Sequence, residues 1–267
     1  MRKALLTLAV LAATPLSAQS TRSRADRFMA NCEDYGDRDR ERFCEIRDVT
    51  MKVPTRALFV DGRDNGGVSF YGADRGDIQV KALISATADT RKEAEALAKD
   101  IKIVADGDRL YADGPSNRRY SWWSVSFEVT VPKKSNLSAE TGNGGISVEG
   151  VEGRLDLRAV NGGVSLRDVG GDVRASTTNG GASAVLTGDR WVGEGLELET
   201  TNGGVTLEIP RNYNARLETG TVNGGMNIDF PITVQGYIGR RITTTLGQGG
   251  PRVRATTTNG GVRIRER

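Results

Sequence analysis

Along the second half of the chain, apolar and polar residues alternate in short runs that break at the same tripeptide. Counting back from Asn161 by two, four and six gives Ala159, Leu157 and Leu155. From Asn179 the same steps give Thr177, Ala175 and Val173, and from Asn202 they give Thr200, Leu198 and Leu196. Asn143 and Asn259 follow suit, with Thr141, Ala139 and Leu137, and with Thr257, Ala255 and Val253. The positions between are mostly polar, among them Asp156, Arg158, Arg174, Ser176, Glu197 and Glu199. A period of two predicts strands with one buried face. On this parity each Asn keeps step with the buried residues, so its side chain is expected to point inward.

Beyond the tripeptide the phase slips by one. The apolar positions are now three and five past the Asn: Ile146 and Val148, Val164 and Leu166, Val205 and Leu207, Met226 and Ile228, Val262 and Ile264. A slip of one residue reverses the face a strand presents. The glycine pair therefore predicts a corner, where glycine serves either positive φ or close backbone approach. Asn-Gly-Gly begins at Asn65, Asn143, Asn161, Asn179, Asn202, Asn223 and Asn259, with Gln248-Gly249-Gly250 as a variant. A unit recurring about every 18 to 25 residues through much of this half predicts stacked repeats. The expected fold is all-β: a β-helix-like β-solenoid of stacked Asn-Gly-Gly coils. Asn143, Asn161, Asn179, Asn202, Asn223 and Asn259 would form a structural ladder of amides, the alternative being a ligand-binding role. The Gly-Gly-x-Gly-x-Asp pattern of calcium-binding nonapeptides is absent.

The rest of the chain divides around this block. Residues 1–18 read as a signal peptide, with Arg2 and Lys3, an apolar run from Ala4 to Ala13, and Leu16-Ser17-Ala18 as a cleavage site. Residues 19–53 form a mixed-charge arm holding the two cysteines, Cys32 and Cys44, which in an oxidising compartment are expected to form a disulfide. Phe28, Met29, Phe43 and Ile46 are expected to pack this arm over one end of the stack. Residues 54–135 form an N-terminal β region with one helix near 90–101, announced by the capping box Thr90-Arg91-Lys92-Glu93. Trp123, Val125, Phe127, Val129 and Val131 alternate as a strand expected to pair on the coil that follows. Residues 136–267 are the repeat block, with insertions at Pro210–Asn214 and Val234–Tyr237.

Charge and composition narrow the function. The formal charge of +3 falls to +1 once Arg2 and Lys3 leave with the leader, which is not the make-up of a general nucleic-acid binder. Histidine is absent, removing the usual general base, metal ligand and nucleophile-activating dyads. No cofactor is expected, and no residue is assigned a catalytic or metal-ligating role. Carboxylate chemistry stays open, because paired acids can cut glycosides. Two surface sets stand out. Tyr111, Arg118, Arg119, Tyr120 and Trp122 suggest an exposed aromatic and basic binding patch, unless the helix covers them. Arg252, Arg254, Arg263 and Arg265 have outward parity, either as a basic strip for anions or as charges guarding an end strand.

The unit Leu-x-Ala-Val-Asn-Gly-Gly-Val-x-Leu (157–166), its copies and the helix-bearing front half resemble the bacterial adhesin-like "Toastrack" domain of unknown function, over roughly residues 54–267. The resemblance implies an all-β solenoid at the cell envelope. It supplies no functional residues to carry over, and the arm lies outside it. Two function classes follow. One is a non-catalytic, exported, adhesin-like or scaffold protein, periplasmic or secreted, binding an envelope protein or glycan. The other is a polysaccharide-acting lyase or hydrolase. A cleft with two or more outward carboxylates facing a basic residue would favour the enzyme.

Overall fold

A computed structural model describes residues 24–34, 39–229 and 239–267, the side chains of residues 33 and 34 excepted. The predicted leader and the insertion Val234–Tyr237 lie outside the described residues. The front half runs α1 (Arg24–Asp34), β1 (Glu41–Lys52), β2 (Leu58–Asp61), β3 (Val68–Ala73) and β4 (Asp77–Ala88). It continues through α2 (Arg91–Asp100), β5 (Lys102–Asp106), β6 (Arg109–Asp113) and β7 (Trp122–Pro132). Strands then come in pairs around each corner: β8 (Leu137–Thr141) with β9 (Ile146–Glu149), and β10 (Glu152–Ala159) with β11 (Val164–Arg167). Next are β12 (Gly170–Asn179) with β13 (Ala182–Val185), and β14 (Gly195–Asn202) with β15 (Val205–Ile209). Last are β16 (Ala215–Asn223) with β17 (Met226–Asp229), the lone β18 (Arg241–Leu246), and β19 (Arg252–Asn259) with β20 (Val262–Glu266).

At each corner the chain passes from one ten-stranded sheet to the other. The first sheet is ordered β1-β4-β7-β3-β9-β11-β13-β15-β20-β17 and the second β18-β16-β19-β14-β12-β10-β8-β2-β6-β5. Through the repeat the neighbours are parallel and in register, apart from antiparallel β18. Equivalent apolar residues therefore stack in columns. Leu137, Leu155, Val173, Leu196, Val253 and Leu217 form one in the second sheet. Ile146, Val164, Ala182, Val205 and Val262 form one in the first. All are buried in a single core between the sheets, and each large aliphatic side chain there contributes about 1.5–3 kcal/mol.

The asparagines do form a ladder, but on the outside. Asn143 Nδ2 donates to Asn65 Oδ1 at 3.0 Å, and the series continues through 161→143, 179→161, 202→179, 259→202 and 223→259 at 2.8–2.9 Å. All seven side chains are exposed, so the expected inward orientation is corrected. The alternation breaks at the Asn itself, one residue before the glycines: Thr177 is buried, while Thr178 and Asn179 both face out.

The reason is space. A Cβ on the first glycine of a corner would meet the carbonyl oxygen of the equivalent glycine one coil away, at 2.1 Å for Gly162 and 2.3 Å for Gly180. Coil rests on coil, backbone to backbone, and nothing larger than hydrogen fits. The inner corner is filled by threonine instead. Thr141, Thr177, Thr200, Thr257 and Thr221 each donate their hydroxyl to that glycine carbonyl in the adjacent coil. Ala159 takes the place in the Asn161 coil and Arg63 in the Asn65 coil. No corner Gly-Gly glycine of the seven copies has positive φ, so close approach is what selects the first glycine of each pair.

Stacking order departs from chain order. The pair β19–β20 lies between β14–β15 and β16–β17. The outward rows show why. Across the second sheet, Asp156, Arg174, Glu197, Arg254 and Glu218 stand side by side with alternating sign. Across the first, Glu208, Arg265 and Asp229 do the same. In chain order, Glu197 would meet Glu218 and Glu208 would meet Asp229. Arg254 pairs with Glu197 at 3.6 Å and Glu199 at 3.2 Å. Opposite charges across strands contribute roughly 0.2–1 kcal/mol per pair, and like charges oppose pairing; insertion also sets Arg216 beside Arg252, but both pair with Glu218, so these rows favour the inserted position on both faces.

The arm departs most from expectation. It contains a second helix, α1, and a twelve-residue strand, β1, antiparallel to β4 along its whole length. The disulfide Cys32–Cys44 ties α1 to β1 across a Cα–Cα distance of 6.2 Å. Helix α2 falls where the capping box places it, with Glu93 N donating to Thr90 Oγ1 at 3.3 Å and Thr90 N to Glu93 Oε2 at 3.0 Å. Arg47 of β1 braces its other end by donating to Ile101 O, the carbonyl of the C-cap, and to Ala98 O, which also accepts from Ile101 N. Strand β7 pairs with β3 and β4 rather than with the coil that follows it. The coil β2–β3, earlier in the chain, occupies that place beside β9.

Two predictions follow from the corners and the charge rows. Gly180→Ala should destabilise by about 3 kcal/mol through overpacking, whereas Gly181→Ala, whose Cβ would sit 3.6 Å from its nearest neighbour, should change stability by less than about 0.5 kcal/mol. Urea denaturation compares the two directly, and equal effects would contradict the close-approach account. Arg254→Glu places three acids in succession and should cost about 1–3 kcal/mol, an effect shrinking in high salt. An unchanged melting temperature at low salt would remove the charge argument.

Candidate functional site

A cleft of about 430 Å³ opens at the front end of the amide ladder. Three segments wall it: the turn Gly62–Gly66 after β2, the loop Gly114–Asn117 after β6, and the start of β7. The floor is tight because a Cβ on Gly66 would lie 1.9 Å from Val125 O. The loop is fixed against Trp123. Trp123 Nε1 donates to Pro115 O at 2.6 Å, its backbone N donates to Asn117 Oδ1 at 2.8 Å, and Asn117 Nδ2 returns a bond to Trp123 O at 3.3 Å.

Three carboxylates and one guanidinium line this cleft: Asp61, Asp64, Asp113 and Arg63. Asp61 Oδ1 accepts from the backbone N of Arg63 at 2.8 Å, and Arg63 Nε lies 3.5 Å from its other oxygen. Arg63 adopts φ 54°, a left-handed conformation uncommon outside glycine. Its guanidinium donates to Ala112 O at 3.3 Å and stacks 4.9 Å from the Tyr111 ring. Asp113 Oδ1 accepts from Gly114 N at 3.0 Å. These contacts commit Asp61 and Asp113 to shaping the turns. The side chain of Asp64 has no hydrogen bond or ion pair among the described residues, while its backbone O accepts from Asn143 N. Beside it, Asn65 receives the last bond of the ladder. Every amide in that column donates in the same direction, so the Nδ2 of Asn65 is the donor end, without an acceptor among the described residues.

The residues singled out from sequence do not gather here. Arg40 of the arm sits 4.8 Å from the Tyr120 ring and 5.0 Å from Trp122, and donates to Arg119 O at 3.0 Å. The pair Tyr120 and Trp122 thus grips the arm rather than lying under α2. Arg118 bridges to the backbone of Ser121. Tyr111 belongs to the second sheet and stacks with Arg63 and Arg109, so the five residues form no single patch. Nor do the four arginines form one strip. Arg252 and Arg254 lie on the second sheet and Arg263 and Arg265 on the first. Their coil is internal to the stack, which also removes the end-strand reading. Asp156, Glu197 and Glu199 are all ion-paired to arginines on an open face.

Sequence reasoning missed the cleft. Its one local signal was the density of Asp and Gly at 61–67 and 113–117, without any cue that the two loops meet. One further carboxyl is perturbed. Glu128, on the outer face of β7, has a buried, unbonded Oε1, and burial pushes its carboxyl above the usual range against the pull of Arg24 and Lys81.

The grip on Arg40 is testable. Exposed cation–π contacts contribute about 0.5–1 kcal/mol each. A double-mutant cycle between Arg40→Ala and Tyr120→Ala should therefore show coupling of that size in thermal unfolding. Additive effects would mean that the ring does not hold the arm.

Solved structures similar to this chain include a protein from Clostridium sporogenes provisionally named a cell adhesion protein. It shares 12% identity, with 85% of this chain and 100% of that one covered, at a TM-score of 0.45. A provisional adhesin from Bacteroides fragilis shares 12%, covering 84% and 97%, at 0.39. A provisional lipid-binding protein from Parabacteroides distasonis shares 9%, covering 83% and 96%, at 0.28. No curated protein matched. The likeness to these structures is too loose to carry an argument about this molecule. The match to a family profile is not: it spans residues 65–265, and the chain belongs to the Toastrack DUF4097 family.

Proposed function

We propose that this chain is a non-catalytic, adhesin-like envelope protein, exported to the periplasm or beyond, whose stacked Asn-Gly-Gly coils form a stiff support for a glycan-binding cleft. The observation that carries the reading is the cleft at the donor end of the ladder. Its volume suits a small ligand. Its wall offers a carboxylate without a partner among the described residues (Asp64), an amide donor (Asn65) and the indole of Trp123. Sugar hydroxyls both donate and accept, so a carboxylate beside an amide matches them, and a fixed aromatic wall can shield the less polar ring face. Among the described residues no helix is long and apolar enough to cross a membrane.

The carboxylates around Arg63 are the specific feature that favours a polysaccharide-acting enzyme instead. Glycoside hydrolysis in its usual form uses two acids acting on one bond. Here Asp61 and Asp113 are held by Arg63 and Gly114, which leaves Asp64 alone. Binding is therefore the better reading.

The chain lacking residues 1–18 should retain particular neutral oligosaccharides on a glycan array. Asp64→Ala should weaken that binding at least tenfold in calorimetry, with the melting temperature unchanged. Absence of any retained neutral glycan would overturn the reading. Shortening of the bound polysaccharide, abolished by Asp64→Asn, would replace it with the enzyme.

A further inference from the structure

A second depression, of about 340 Å³, lies on the outer face of the second sheet beside the corners. It crosses β12, β14, β19 and β16 and ends at Arg241, the first residue of β18. One side is a ridge of exposed residues directly before the ladder asparagines: Thr178, Thr201, Thr258 and Val222. The floor holds Ser176, Thr256 and the bare backbone of Gly220. At Gly220 a Cβ would come within 2.9 Å of Arg241 Cγ and 2.8 Å of Arg240 O, so the missing side chain leaves the groove open toward Arg241.

The hydroxyls divide into two sets. The inward threonines, 177, 200, 257 and 221, are committed to glycine carbonyls. Thr178, Thr201 and Thr258 have no protein hydrogen bond among the described residues, and neither does Ser176. Strands in register repeat about every 4.8 Å, so these three hydroxyls form a regular row along the column axis. That spacing is close to the length of a single pyranose unit in an extended glycan.

The charges define what such a glycan should carry. Two guanidiniums face the groove, Arg254 and Arg241, and one carboxylate, Glu199. Behind them, Glu197 pairs with Arg254, while Glu218 pairs with Arg216 at 3.3 Å and Arg252 at 3.9 Å. The Nε of Arg254 is buried and hydrogen-bonded to nothing, although Glu197 lies 3.6 Å away. Arg241 has no partner among the described residues. Arg254 also pairs with Glu199 at 3.2 Å, so the positive charge left uncompensated in the groove is that of Arg241. By contrast, the cleft at Asn65 holds three carboxylates against one guanidinium and disfavours anions.

From this we infer that the threonine groove is a separate subsite for a linear, carboxylate-bearing glycan. A uronate carboxylate is held by Arg241, beside the Arg254–Glu199 pair, and neighbouring ring hydroxyls lie along Thr178, Thr201 and Thr258. The inference extends the glycan reading to a second site that selects the opposite charge, and it can fail independently of the first.

The test uses the chain lacking residues 1–18 and two probes: an oligogalacturonate of six units and its fully methyl-esterified form. The acid form should bind, with affinity falling as salt rises, and the ester should bind at least tenfold more weakly. Arg241→Gln, a change at an exposed edge position, should weaken the acid form at least fivefold, and Thr201→Val severalfold. Asp64→Ala should leave acid binding unchanged. No binding of the acid form, equal binding of the ester, or indifference to Arg241→Gln would each overturn the inference. If neutral glycans still bind and respond to Asp64→Ala, only the second site falls. If the acid form binds and neutral glycans do not, only the cleft falls.

Discussion

Everything in this column rests on a contact between main chains. At six of the seven Asn-Gly-Gly corners, all but the one at Gly66, the first glycine lies so close to its counterpart in the adjacent coil that a Cβ has no room. That approach brings the strands on both sides of the corner into register. Register then stacks leucine and valine in unbroken columns inside. The threonine hydroxyl inside the corner and the asparagine amide outside it both depend on the same fit. One satisfies the glycine carbonyl and the other bonds to the next amide. Burial supplies most of the stability, and the glycine decides which stacking can use it.

Identical corners do not specify an order, since any coil could rest on any other. The outward charges provide that information. The chain inserts its final pair of strands inside the stack, and the inserted arginines separate acids that would otherwise meet on both faces. Individual exposed ion pairs contribute little. A row in which every neighbour is opposite in sign, on two sheets together, discriminates one order from another even when each pair is weak.

The strands of the repeat, helix α2 and its capping box were legible in the sequence, because period-two alternation and a capping box are local signals. The corner was misread for a physical reason. Parity counting carried the inward assignment through Asn179, but the turn places both Thr178 and Asn179 outside. The threonine at the inner corner had been visible only as a polar residue in an apolar position. The arm was underestimated because β1 is half-covered on both faces, by α1 on one side and by the core and α2 on the other, and so shows no clean alternation. The cleft joins turns some fifty residues apart, at Asp61 and Asp113. The aromatic set and the four arginines are divided between the two sheets because parity gives a face but not a sheet.

The most direct test of the stacked corners reads the ladder in solution. Nuclear Overhauser contacts between the side-chain amides of an ¹⁵N-asparagine sample report which coil touches which. The account requires a single series, 65–143–161–179–202–259–223, with Asn259 in contact with both Asn202 and Asn223. A contact between Asn202 and Asn223, or amides averaged by solvent with no contacts among them, would contradict it.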